Sequence, residues 1–316
     1  MENKPHNQKI TIIAGPCSVD ENNTEQLFRI ANICVVDSTN KSQRAIWGLR
    51  VVGLKSRTSM NSTGEGMGMD FHEYMHNVDL ATSNKSVNNF KILPSVEIAR
   101  RIVQETGLIV ATEIMDPIIQ LPLYEKAIPK GKLLIWNPAV NQLGYQMYIM
   151  GIYAERNDWF IGIKNGKWFG EISDGDINIM EKNWIGQVSF ATKDKQFPLH
   201  DRITMVHRGV DIAGKGKFRH LPVHDSAEKV KKMTGAKMFF DPSHSFGRLL
   251  RDQIVDQTII AMHVKTNDGE YLYDGILIEV GTSKTDTEQH ITVEELQILC
   301  DEIIKFRELN HHEQNL

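Results

Sequence analysis

Arg50, Lys55 and Arg57 fall within eight positions of one another, at the end of an apolar run that reads as a strand. Lys164 and Arg208 stand in the same relation to two later apolar runs. Basic side chains at the ends of buried strands are costly unless an anion neutralises them. An Arg fork matches phosphate or carboxylate oxygens two at a time, whereas Lys acts as a mobile point charge or proton donor. Pairing with Glu113, Asp116 and Asp211 would account for one or two of these cations. Five together point to a di-anionic substrate.

A second group has the chemistry of metal ligands. Cys17, His244 and Glu279 each end an apolar run, and Asp286 follows shortly after the last of them. A thiolate, an imidazole and two carboxylates suit one borderline divalent ion such as Mn²⁺, Fe²⁺, Co²⁺ or Zn²⁺. Taken singly, Cys17 reads as a small buried residue and His244 as a satisfied core histidine. Four potential ligands at three strand ends favour the ion.

These residues converge only if the chain brings the strand ends together. Apolar runs at 9–14, 45–54, 108–115, 133–136, 160–164, 203–207, 237–240 and 275–280 read as eight strands, with amphipathic helices between them. One helical face carries Leu27, Ile30, Ala31 and Cys34. Another, from about Ser95, carries Ile98, Ile102 and Val103 and stops at Gly107. The last begins at a capping box between Thr292 and Glu295 and buries Leu296, Leu299, Cys300 and Ile303. Alternating strands and helices imply a parallel α/β sheet, and eight units imply a (β/α)8 TIM barrel. An open doubly wound sheet is the alternative. The reading is of one domain over 1–316 with its core at about 9–309. Residues 61–89, polar and rich in Gly, Met and Asn, read as a long loop after strand two. Residues 187–201 read as a small hairpin excursion near strand six, with Val188-Ser189-Phe190 as strand.

The chain has 316 residues, 41% hydrophobic and 24% charged, with a formal net charge of −4. That charge provides no field for nucleic acid or an anionic membrane. No run of about 18 apolar residues is present to span a bilayer. The polar N-terminus lacks the pattern of a signal peptide. Three widely spaced cysteines make a disulfide framework improbable, so a reducing, cytoplasmic setting is expected.

In order along the chain, Gly15-Pro16-Cys17-Ser18, Lys55-Ser56-Arg57-Thr58, Thr112-Glu113-Ile114-Met115-Asp116 and Gly162-Ile163-Lys164-Asn165-Gly166 resemble motifs of one family. His207-Arg208-Gly209, Asp241-Pro242-Ser243-His244 and Ile278-Glu279-Val280 continue the series. The family is that of the 3-deoxy-D-arabino-heptulosonate 7-phosphate (DAHP) and 3-deoxy-D-manno-octulosonate 8-phosphate (KDO 8-phosphate) synthases. Lys55-Ser56-Arg57-Thr58 is similar to the Lys-Pro-Arg-Thr motif of the DAHP branch. The resemblance implies a metal-dependent condensation of phosphoenolpyruvate with erythrose 4-phosphate, the first step of the shikimate pathway.

By that resemblance Cys17, His244, Glu279 and Asp286 bind the metal. Arg50, Lys55, Lys164 and Arg208 hold phosphoenolpyruvate, with Ala139 at the strand-four position. Ser56, Arg57 and Thr58 take the aldose phosphate. Lys55, His244 and Glu113 are the candidates for moving protons. A homo-oligomer, dimer or tetramer, is implied as well. Three departures stand out: Ser56 replaces proline, Trp136-Asn137-Pro138-Ala139 lacks the arginine that the DAHP branch carries on strand four, and the loop at 61–89 is longer than the family pattern implies. They leave two other possibilities, a KDO 8-phosphate synthase-like enzyme for another aldose phosphate and a non-catalytic relative that binds a phosphorylated metabolite.

Overall fold

Eight short runs of aliphatic, β-branched and aromatic residues form the strands of the computed structural model: β1 (Thr11–Gly15), β2 (Gly48–Arg50), β3 (Ile109–Glu113), β4 (Leu133–Trp136), β5 (Phe160–Lys164), β6 (Ile203–His207), β7 (Lys237–Phe240) and β8 (Gly275–Glu279). The described residues are 9–310, apart from 38–39, 56–64, 84–85, 172–175, 194–199 and 284–286. Each strand pairs in parallel with the next, and β1 closes on β8 in the register Thr11↔Gly275 to Gly15↔Glu279. The barrel expected from the pattern is therefore present, and the open sheet is ruled out because no edge of the eight strands is left unpaired.

Helices α1 (Thr24–Ala31), α2 (Phe71–Thr82), α3 (Pro94–Thr106), α4 (Pro117–Ala127), α5 (Gly144–Asn157), α6 (Ile179–Thr192), α7 (His224–Thr234), α8 (Pro242–Phe246), α9 (Ile254–His263) and α10 (Val293–Ile303) connect them. The larger apolar cluster lies between strands and helices and includes Ile12, Val110, Ile135, Leu27, Ile102 and Leu299. The capping box of Thr292 and Glu295 starts α10 as expected. Among the described residues no helix is long and apolar enough to cross a membrane.

Three local expectations fail. Cys34 does not continue the inward face of α1; it is exposed and begins a two-stranded antiparallel ribbon, Cys34–Val36 with Ser42–Arg44. The long loop at 61–89 contains α2, whose signal was weak because its one fully buried side chain is Asn77. That amide is held by Lys91, whose backbone N–H donates to it and whose carbonyl accepts from it. Val188-Ser189-Phe190 is not strand but the end of α6. A capping box between Asn178 and Glu181 starts that helix, and Trp184, Val188 and Ala191 form its buried stripe at helical spacing.

A period of two along each strand decides what faces the barrel axis. Ile13, Ala111, Leu134, Trp136, Val206, Phe239 and Leu277 fill the interior in a cluster of their own. Two residues further along, the same parity delivers Glu113 from β3, Arg208 beyond β6, Asp241 beyond β7 and Glu279 from β8. The packed interior thus ends in a polar layer at the C-terminal mouth.

Candidate active site

The polar layer is assembled around two buried ion pairs and one lysine–cysteine hydrogen bond. Lys164 Nζ lies 3.4 Å from Glu113 Oε1, with both side chains nearly inaccessible to solvent. Arg50 Nη2 lies 3.0 Å from Glu279 Oε1. Lys55 Nζ sits 3.0 Å from Cys17 Sγ and donates to the Cys17 carbonyl at 3.2 Å. Pairing with Glu113 was one expected fate of these cations and holds for Lys164. Asp116 and Asp211 are occupied elsewhere: Asp116 caps α4 and accepts from Tyr74, and Asp211 pairs with Lys215.

Close backbone approaches make this packing possible. A Cβ at Gly15 (φ +151°) would stand 2.8 Å from the Arg50 carbonyl oxygen, so only glycine lets β1 and the end of β2 meet this way. A Cβ at Gly162 would stand 3.1 Å from Cβ of Trp136, which therefore has room inside the barrel. The Trp136 ring lies 5.5 Å from the Arg50 guanidinium carbon and 5.0 Å from Lys164 Nζ. Its indole N–H donates to Glu113 Oε1 at 3.2 Å. The aromatic ring at the end of β4 thereby lies against two cations.

His244 is fixed through Nδ1, 3.0 Å from Asp241 Oδ1, and turns Nε2 toward Glu279 Oε1 at 3.7 Å. Gln289 donates to the other Glu279 oxygen. Arg208 reaches His220 Nδ1 at 3.4 Å. The amide of Cys17 donates to His290 Nε2 at 2.8 Å.

Burial and neighbouring charge set the protonation states. Burial raises the Cys17 thiol, and Glu279 adds to that, against Lys55 and Arg50. Burial works against the charge on Lys55, but the Cys17 sulfur, Glu113 and Glu279 outweigh it and hold the proton on. For Glu113, burial is overcome by Lys164, Lys55 and Arg50, which keep it a carboxylate. Burial likewise opposes ionisation of Glu279, yet the Arg50 guanidinium 3.0 Å away, with Lys55 beyond it, pulls it well below the carboxylate range. Burial pushes Lys164 down, pushes Arg208 down to about 10 and leaves His244 neutral. Two buried donors, Arg50 Nη1 and Arg208 Nε, have no hydrogen-bond partner among the described residues.

Among the described residues no three His, Cys, Asp or Glu side chains are spaced to hold one ion. The donor types nevertheless suit one. A neutral imidazole and a carboxylate already face each other at 3.7 Å, and Cys17 is close enough to Glu279 for that charge to act on its thiol. Asp286, the fourth expected ligand, and Ser56, Arg57 and Thr58, expected at the aldose phosphate, lie outside the described residues. Ala139 is in the loop after β4, where its carbonyl accepts from Gln142 at 3.4 Å. It brings no charge. Trp136, His220, Gln289 and His290 were not singled out by sequence. Only Trp136 carried a signal, as a large aromatic at a strand end.

A scan against protein-family models finds no match, and a search of curated protein sequences finds none either. Solved structures do match. A phospho-2-dehydro-3-deoxyheptonate aldolase (DAHP synthase) from Thermotoga maritima is 20% identical with a TM-score of 0.67, covering 96% of this chain and 72% of that one. A truncated form of 3-deoxy-D-arabino-heptulosonate 7-phosphate synthase from the same organism is 19% identical with a TM-score of 0.65, covering 97% and 91%. The chain is thus similar in fold, over nearly its whole length, to solved DAHP synthase structures.

Proposed function

We propose that the protein is a divergent DAHP synthase that condenses phosphoenolpyruvate with erythrose 4-phosphate, releasing phosphate. The observation that carries this reading is the pair of buried, unpartnered guanidinium donors on Arg50 and Arg208, in one mouth with Lys55 and Lys164. Buried donors left unpaired are costly, and an anion that accepts from both removes the cost. Phosphoenolpyruvate supplies a phosphate and a carboxylate.

In this reading the four cations hold phosphoenolpyruvate with its C3 toward the aldehyde carbon of the second substrate. Attack by C3 forms the new carbon–carbon bond, and cationic Lys55 gives the aldehyde oxygen its proton. Neutral His244 is the poorer donor. Glu113, kept ionised, takes a proton from the water that adds to C2, after which phosphate departs. A divalent ion held by Cys17, His244, Glu279 and Asp286 would polarise the aldehyde as a Lewis acid. The cation cluster stabilises the charge that develops.

A second reading, condensation with another aldose phosphate such as arabinose 5-phosphate, is favoured by the arginine-free Trp136-Asn137-Pro138-Ala139 segment. Loss of phosphoenolpyruvate, measured with each aldose phosphate after chelation and after adding back each divalent ion, separates the two. Consumption with neither aldose under any ion would leave a binding protein without this activity. On the same reading the protein is a cytoplasmic homo-oligomer, a dimer or tetramer, which light scattering after size-exclusion chromatography tests.

A further inference from the structure

Beside the mouth lies a cavity of about 630 Å³ lined by four cations, Lys215, Lys217, Arg219 and Arg248, over the rings of Phe218 and Phe246. None of the cations that face the barrel axis belongs to it. Among the described residues Glu288 is the sole carboxylate on its wall, and it pairs with Arg248 across 3.0 Å where both side chains are exposed. Lys217 forms no ion pair among the described residues. With Asp211 held against Lys215 beside the wall, the described charges around the cavity leave an excess of two positive over negative.

The walls are fixed in place. The backbone N–H groups of Arg219 and His220 donate to the carbonyls of Phe246 and Ser245 at 3.3 Å and 3.1 Å, and Lys215 Nζ donates to the Arg219 carbonyl at 3.1 Å. The two rings meet at 5.4 Å between centroids. A rigid concave surface with apolar floor and concentrated positive charge has the form of a small-molecule anion site. It is also wired to the mouth: Arg219 donates to Gln289 Oε1, and Gln289 Nε2 donates to Glu279.

We propose that this cavity binds a phosphomonoester dianion, as a second anion site beside the one in the barrel mouth. Its phosphate lies among Lys217, Arg219 and Arg248, and its organic part covers Phe218 and Phe246. An anion on Arg219 competes with Gln289 for the guanidinium and so changes the grip of Gln289 on Glu279. By linkage, occupancy of either site alters affinity at the other. Two sources share this chemistry, the phosphate end of the aldose substrate and a separate phosphorylated effector. Only the choice between them rests on the function proposed above.

The test is calorimetric titration of the full chain with inorganic phosphate, in wild type, in Lys217→Ala/Arg248→Ala and in Arg208→Ala. Wild type is expected to bind at two sites. The double variant should weaken one of them by roughly tenfold or more, the size expected for losing charge-assisted contacts. Arg208→Ala should weaken the other. Lys217 and Arg248 are exposed, so the double variant should keep its wild-type circular dichroism. Wild-type stoichiometry and affinity in the double variant would overturn the site. Kinetics then identify the source: a raised KM for the aldose phosphate at unchanged kcat assigns the substrate's own phosphate. Unchanged KM, with loss of a rate response to added phosphate esters, assigns an effector. If the protein condenses neither aldose, the titration still decides whether the cavity is an anion site.

Discussion

The indole N–H of Trp136 donates to Glu113 Oε1 at 3.2 Å, the oxygen that also faces Lys164 Nζ at 3.4 Å. Trp136 thus orders an acid and a base and lies against two cations at once. Trp136→Phe keeps the ring and loses the donor. It should lower kcat/KM for phosphoenolpyruvate by about tenfold, the worth of one buried hydrogen bond to a charged group. Trp136→Ala opens a cavity and should cost about 3–5 kcal/mol of stability, read by chemical denaturation.

Lys55→Ala should abolish turnover while circular dichroism stays at the wild-type signal. The same variant removes a cation that lowers the Cys17 thiol, so alkylation of Cys17 should shift to higher pH. Appreciable turnover in Lys55→Ala would refute its part in proton transfer.

Metal binding can be read without any assay of turnover. Co²⁺ bound through a thiolate gives a sulfur-to-metal charge-transfer band. That band should appear on titrating wild type and vanish in Cys17→Ser, and His244→Ala should weaken binding by at least tenfold. An unchanged band in Cys17→Ser would remove Cys17 from the ligand set.

Stability should depend on pH through two buried groups that act in opposite directions. Burial, helped by His224, pushes His207 down to about 3. Its neutral form contributes stability that is complete above pH 6.5 and is lost as the pH falls through 3. Burial raises Asp70 from 3.8 to about 6, so its contribution is complete below pH 3.8 and is lost as the pH rises through 6. Shifts of these sizes correspond to roughly 5 and 3 kcal/mol. The two slopes cancel between about pH 6 and pH 4, so Tm should stay nearly level there and fall below pH 4, where His207 alone still costs stability. Asp70→Asn removes the opposing contribution and should turn the level stretch between pH 6 and pH 4 into a fall. A Tm that stays level over that range in the variant would contradict the assignment.

Much of the barrel was legible because its strands are short apolar runs at regular intervals, and all eight are found where that pattern puts them. Glu113, Lys164, Arg208, His244 and Glu279 were legible as polar residues ending such runs, and the fold supplies their convergence. α2 was not, because it turns a polar residue, Asn77, to the interior. α6 was misread because the β-branched and aromatic Val188 and Phe190 outweighed a helical stripe that begins at Trp184. His220 and Gln289 were invisible for another reason. His220 lies in a loop and Gln289 ends a single 3-10 turn, and their partners Arg208 and Glu279 are fixed by tertiary structure rather than by any local pattern.

The alternation that ends the packed interior in a polar layer also divides the labour along each strand. Ala111 and Glu113, or Leu277 and Glu279, are two residues apart, yet the first of each pair belongs to the packed interior and the second to the polar mouth. Changes at the upper level and in the loops above it can therefore alter which molecules are accepted without unpacking the layer beneath. Change in the loops above the polar layer leaves the packed interior alone, whereas change within the layer must keep its buried charges paired.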